Sequence, residues 1–138
     1  MEPESRKKVL VADDDKDVTN CIELVLKDKY DVIKVNDGVL CVAVAMKSKP
    51  DLLLLDITMP KMSGYQVMDN FKRNPQLKDV PIILVTGKTS LQEKDFGYRK
   101  GAVGYITKPF EMAELVKMVD KVLSPQSPES SEPSAPSS

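Results

Sequence analysis

The run Leu52-Leu53-Leu54-Leu55 is apolar at every position and stops at Asp56. Successive side chains of a strand point to opposite faces, so a strand of four leucines must be covered on both. A half-solvated antiparallel sheet would alternate apolar and polar residues. An all-apolar strand instead calls for a parallel sheet with helices on either side. The rest of the chain supplies matching parts. Val9-Leu10-Val11-Ala12, Tyr30 to Val35, Val80 to Val85 and Val103 to Ile106 are further short runs of strand character, with Pro81 near the start of its run, where a missing donor is tolerated. Between them lie helical patterns. Val18, Cys21, Ile22, Val25 and Leu26 form one, and Val39 to Lys47 form a second behind the turn Asn36-Asp37-Gly38. Val67, Met68 and Phe71 follow Gly64, Leu91 to Lys100 is a weak helix that holds Gly97 and has poor periodicity, and Met112, Leu115, Val119 and Val122 line the last. This alternation predicts an α/β fold: a doubly wound, five-stranded parallel sheet with helices on both faces.

Composition narrows the function. A chain of 138 residues, 41% hydrophobic, is the size of one globular domain. The net charge is −1 with no dominant basic block, which gives no footprint for direct nucleic-acid binding or an anionic membrane. No apolar run is long enough for membrane insertion, and the first eight residues lack the apolar stretch of a signal peptide, so a cytoplasmic location is expected. The absence of histidine excludes a Ser-His-Asp triad, a Cys-His pair and the usual zinc sites. Cys21 and Cys41 lack CxxC spacing and read as small buried hydrophobes. Residues 124–138 are mostly Ser and Pro with two Glu and no large apolar side chain, the composition of a disordered tail, which leaves residues 6–123 as the domain.

Ligands of doubly wound sheets sit beyond the carboxyl ends of the strands. Four runs end there in polar residues: Asp13-Asp14-Asp15, Asp56, Thr86-Gly87 and Lys108-Pro109. Carboxylates gathered in one crevice repel one another and need a counter-charge. Mg²⁺, a hard cation that takes few carboxylates plus water and phosphate oxygens, suits them. Asp15 is the best placed to be a plain helix cap. Asp56, anchored by four leucines, can act as a nucleophile toward phosphorus and form an acyl phosphate. Lys108 can pair with that carboxylate at rest and with a phosphoryl group afterwards. Thr86 offers a hydroxyl to a phosphoryl oxygen, and Gly87 removes bulk where a donor must approach.

Taken together, Val9 to Asp14, the stretch Asp51 to Pro60 with Met62 and Gly64, Thr86-Gly87, Gly101-Ala102 and Tyr105-Ile106-Thr107-Lys108-Pro109-Phe110 resemble the receiver domains of two-component response regulators, of the CheY-like, single-domain kind with a flavodoxin-like fold. The resemblance covers about residues 8 to 123. It implies that Asp56 is the phosphoacceptor and that Asp14 binds Mg²⁺ directly. Asp13 would assist, often through water, and the backbone carbonyl of Thr58 would complete the protein ligands. It further implies that Thr86 and Lys108 hold phosphoryl oxygens, that Thr86 and Tyr105 form the switch, and that the Lys108-Pro109 bond is cis. Thr58 and Lys88 stand where receivers vary and tune phosphoryl lifetime.

The expected function is therefore phosphorelay signalling. A histidine kinase or phosphotransfer protein supplies the phosphoryl group, and a downstream target protein reads a switched surface. The chain would not be an enzyme beyond self-phosphorylation from small donors and autodephosphorylation. No output module follows the receiver in this sequence, so a partner is expected to carry the output, unless the chain is cut from a longer protein. The alternative is a pseudo-receiver that binds partners without phosphorylation, although the acids and the lysine it would lack are present. A flavodoxin-type electron carrier fits less well, because Asp13-Asp14-Asp15 would repel a flavin phosphate. An aspartyl phosphatase usually carries a second acid two residues after its nucleophile, where Thr58 stands here.

Overall fold

The computed structural model describes residues 6–124. The expectation of a disordered tail therefore falls, from residue 125 onward, outside the described residues. Among the described residues five strands and five helices alternate: β1 Lys8–Ala12, α1 Lys16–Leu26, β2 Asp31–Val35, α2 Gly38–Ser48, β3 Leu52–Leu55, α3 Gly64–Arg73, β4 Ile82–Thr86, α4 Leu91–Arg99, β5 Gly104–Thr107 and α5 Met112–Leu123. All strand pairs are parallel, in the order β2-β1-β3-β4-β5. The doubly wound architecture read from the sequence is the one observed.

The leucine strand explains the layering. Leu53 and Leu55 join one apolar cluster with Cys41, Ala45, Val67, Met68 and Phe71 from α2 and α3. Leu52 and Leu54 join the other with Ile22, Leu26, Leu115 and Val119 from α1 and α5. Each fully buried leucine contributes roughly 1.5–3 kcal/mol, so β3 is strongly held in register. Helix starts are set by side-chain caps at Asp15, Asp37, Ser63 and Ser90, each accepting a backbone N–H of the first turn. The Ser63 cap is completed by Gln66, whose side chain accepts the Ser63 N–H at 2.9 Å.

Two expectations need correction. Cys21 is exposed, not buried. The sheet-facing stripe of α1 is Thr19, Ile22 and Leu26, and a residue directly before Ile22 is turned roughly 100° away from it. Helix α4 is regular in spite of its weak pattern. Its one buried residue is Gly97, where a Cβ would lie 2.7 Å from Leu84 Cδ1 and 3.2 Å from Tyr105 Cε2. The glycine thus serves close packing of the helix on the sheet, and its lost helix propensity, about 1 kcal/mol against alanine, is offset by that approach. Smaller shifts occur at strand starts: Tyr30, Val80 and Val103 precede their strands.

Both cysteines are free thiols. Burial, reinforced by the nearby Asp37 charge, pushes the Cys41 thiol up to about 12. At pH 8 a thiol-specific reagent should therefore modify Cys21 in the native protein and leave Cys41 untouched until denaturant is added. Equal rates for the two thiols in native buffer would contradict the packing of α2.

Candidate functional site at the carboxyl edge of the sheet

The chain winds from β1 outward to β2, then crosses back through β3 to β4 and β5. The reversal leaves a crevice between β1 and β3, where ligands of such sheets bind. Main-chain bonds aim the acids into it. Asp13 donates its N–H to the Val35 carbonyl at 3.1 Å, and Asp56 donates to the Ala12 carbonyl at 3.0 Å, so both continue the ladder one step past the strands. Asp13 and Asp56 are 3% and 6% exposed, whereas Asp14 is exposed. Carboxylate oxygens of these three residues all lie within 4.8 Å of one another. Asp15 serves the helix instead, its carboxylate accepting the Asp17 N–H at 2.9 Å and capping α1.

Lys108 enters from the end of β5. Its N–H donates to the Thr86 carbonyl at 2.9 Å, and the Lys108-Pro109 bond is cis, as the resemblance implies. Its Nζ lies 2.6 Å from Asp13 Oδ2 and 3.3 Å from Asp56 Oδ2. The resting partner expected from the sequence was Asp56. The ammonium bridges both acids and sits nearer to Asp13. Burial pushes the Asp13 carboxyl above the usual carboxylate range and the Asp56 charge adds to that, more than the Lys108 bond and the Asp15 N–H offset. Burial alone would lower the Lys108 ammonium, yet the two carboxylates raise it overall. Lys108 therefore stays charged at neutral pH.

Three carboxylates against one ammonium leave an excess of negative charge. The donors are all hard oxygens and one of them is open to solvent. This set fits a divalent cation of the Mg²⁺ type, with room for water in its shell. Beside it an open cleft of about 420 Å³ is lined by Asp56, Thr58, Thr86, Gly87, Lys88 and Lys108. Thr58 donates its N–H to Asp56 Oδ1 at 3.4 Å. Thr86, almost fully buried at the end of β4, accepts the Lys88 N–H at a similar distance. A Cβ at Gly87 would meet nothing within 4 Å, so this rim is open.

Tyr105 lies next along. Its ring is packed inward, 8% exposed, and its hydroxyl donates to the Lys88 carbonyl at 2.8 Å. The site residues read from the sequence are thus brought to one edge, with Tyr105 tied to the loop that follows Thr86. Sequence reasoning missed the supports. Tyr65 donates to Glu93 Oε1 at 2.6 Å and stacks edge-on against Phe96, and Lys100 pairs with Asp69 at 2.7 Å, all fastening α4 to α3. No local pattern marks these pairs, because their partners are far apart in sequence.

The sequence matches the response regulator receiver domain over residues 9–120. It is 32% identical over 117 residues to the DNA-binding dual master transcriptional regulator RpaA of Synechocystis, covering 84% of this chain and 48% of that protein. The chain thus spans about half the length of that relative. Among solved structures, chemotaxis protein CheY4 of Vibrio cholerae superposes with a TM-score of 0.81 at 32% identity, over 86% of this chain and 100% of that one. The receiver domain of sensor histidine kinase PA1611 from Pseudomonas aeruginosa, solved with a magnesium ion in its active site cleft, gives 0.77 at 26% identity, over 85% and 97%. Among the described residues no helix is long and apolar enough to cross a membrane. With the fold, the acidic cluster and the family match in agreement, the chain belongs to the response regulator receiver domains, the modules that accept phosphoryl groups in phosphorelay signalling.

Proposed function

We propose that Asp56 is the phosphoacceptor of this receiver and that a histidine kinase or phosphotransfer protein is its donor. The observation that carries the reading is the position of Asp56: buried, in the same acidic cluster as Asp13 and Asp14, and within 3.3 Å of Lys108. In the transfer, a carboxylate oxygen of Asp56 forms a bond to phosphorus while the bond from phosphorus to the donor's nitrogen or oxygen breaks. The electron pair leaves with the donor. Asp14, Asp13, Asp56 and the Thr58 carbonyl would hold Mg²⁺, which supplies charge neutralisation for the phosphoryl oxygens. Lys108 and Thr86 then hold two of those oxygens. The loss of the Asp56 charge to an acyl phosphate leaves the ammonium paired with Asp13, so Lys108 can follow the phosphoryl group without abandoning a buried carboxylate. No free substrate is turned over beyond hydrolysis of the acyl phosphate, so the domain works as a signalling switch.

The output reading follows from Tyr105. Phosphorylation adds about −1.5 to −2 charges and three acceptor oxygens. Thr86 donates to one of them, and the loop from Gly87 to Ser90 is drawn with it. Tyr105 is tied to that loop through the Lys88 carbonyl, and α4 begins directly after its Ser90 cap. The inward ring makes the expected swing a tightening of an existing arrangement. The responding surface is α4, β5 and α5, and a target protein reads it. Coupling of about 1–3 kcal/mol changes partner affinity roughly 5–150-fold. The domain spans residues 6–123, and a cytoplasmic location follows from partners of this kind.

Treatment with acetyl phosphate and Mg²⁺ should add one phosphoryl mass to the wild type and none to Asp56→Ala. Normal labelling of the variant would refute the assignment, and a partner-binding response without any labelling would favour a pseudo-receiver. For the switch, ¹⁵N spectra with and without beryllofluoride should show shifts reaching Thr86, Tyr105 and α4. Changes confined to the loops around Asp56 would exclude this route.

A further inference from the structure

The loop between β3 and α3, Ile57 to Ser63, carries the Thr58 carbonyl, and it is pinned at two points. At its end, Gly64 donates to the Ile57 carbonyl at 2.7 Å, and a Cβ there would strike the Asp56 carbonyl oxygen and lie 2.7 Å from Ile57 Cα. At its tip, the loop leans on the first turn of α2. The Gly38 N–H faces the Pro60 carbonyl at 3.5 Å, and a Cβ at Gly38 would strike the Met62 carbonyl oxygen and lie 2.6 Å from Met62 Cβ. These are backbone and first side-chain atoms, with no rotamer that could turn aside. Asp37 holds the α2 side of the contact: one oxygen accepts the Leu40 N–H at 2.7 Å and the other lies 4.0 Å from Lys61 Nζ. Lys61 itself has φ 71, a left-handed conformation that residues with side chains adopt at a cost. The loop thus holds an unfavourable backbone shape against a neighbour that it meets without a side chain between.

From this close approach we infer that Gly38 is a positioning residue for the metal site, holding the loop where the Thr58 carbonyl can join Asp14 and Asp56 around one cation. The inference rests on the Mg²⁺ reading above. A side chain at 38 must push the two backbones apart. The start of α2 is held by the Asp37 cap and β3 is held in the middle of the sheet, so the loop is what yields.

Two independent changes test this by Mg²⁺ titration followed in ¹⁵N spectra, with Mg²⁺-free thermal unfolding in parallel. Gly38→Ala should raise the Kd for Mg²⁺ about tenfold or more, the scale seen when the support of a metal ligand is removed. At the exposed Lys61, Lys61→Val should raise it relative to Lys61→Gly, since both lose the charge but only glycine accepts the left-handed backbone freely. Unfolding without Mg²⁺ should stay cooperative for the Lys61 pair. Should Gly38→Ala not fold, the Lys61 pair decides. Equal Kd values for Lys61→Val and Lys61→Gly, or a folded Gly38→Ala that titrates like the wild type, would overturn the role of the loop contact. A wild type that shows no Mg²⁺-dependent shifts would instead overturn the metal reading on which the inference stands.

Discussion

Asp13 and Asp56 are carboxylates taken almost wholly out of water and set side by side, with Asp14 at the rim and one lysine between them. Desolvated like charges are costly, and only a firmly built frame keeps them together. Lys108 relieves part of the repulsion. What remains is a site that favours a divalent cation and then an anion carried on that cation. On the reading proposed above, phosphorylation of Asp56 changes the same balance, so the strain of the resting crevice would also be the source of the signal. Removing a carboxylate here need not destabilise the fold.

The frame is apolar and simple. Four leucines bury one residue after another on alternate faces, and the strand ends one position before Asp56. Register is fixed because a slip by one residue would exchange the two faces while moving the carboxylate out of the crevice. Parallel pairing then aligns the carboxyl ends of β1, β3, β4 and β5, so four distant segments deliver their polar residues to one edge. On the far side of the crevice, α4 is fastened to α3 through polar pairs and one aromatic contact, and Gly97 is its only buried residue. An element held this way can rearrange more readily than one with an apolar stripe in the core.

Most of the architecture was legible in the sequence because it depends on local pattern: the unbroken apolar run Leu52 to Leu55, the stripe of Val67, Met68 and Phe71, and the caps at Asp15 and Asp37. The polar strand ends were legible for the same reason, since each directly follows an apolar run. What escaped depends on contacts between distant segments or on helix rotation. Cys21 belongs to an apolar-looking stripe but sits on the solvent side of it. Gly97 marked its helix as weak and proved to be a packing surface for Tyr105. The nearer approach of Lys108 to Asp13 is a matter of tenths of an ångström that no spacing encodes. Gly38 read as a turn residue, and only the folded chain brings the Met62 backbone against it.

The unbalanced charge of the crevice can be measured directly as linkage between cation binding and stability. A ligand that binds the native state alone stabilises it by about 2.7 kcal/mol at a hundredfold excess over Kd. Urea unfolding of the unphosphorylated protein should therefore shift to higher midpoints as Mg²⁺ is raised, with an unchanged slope, and much less in sodium chloride of the same ionic strength. Identical midpoints in the two salts would contradict the account, because the carboxylates at the strand ends would then not form a cation site.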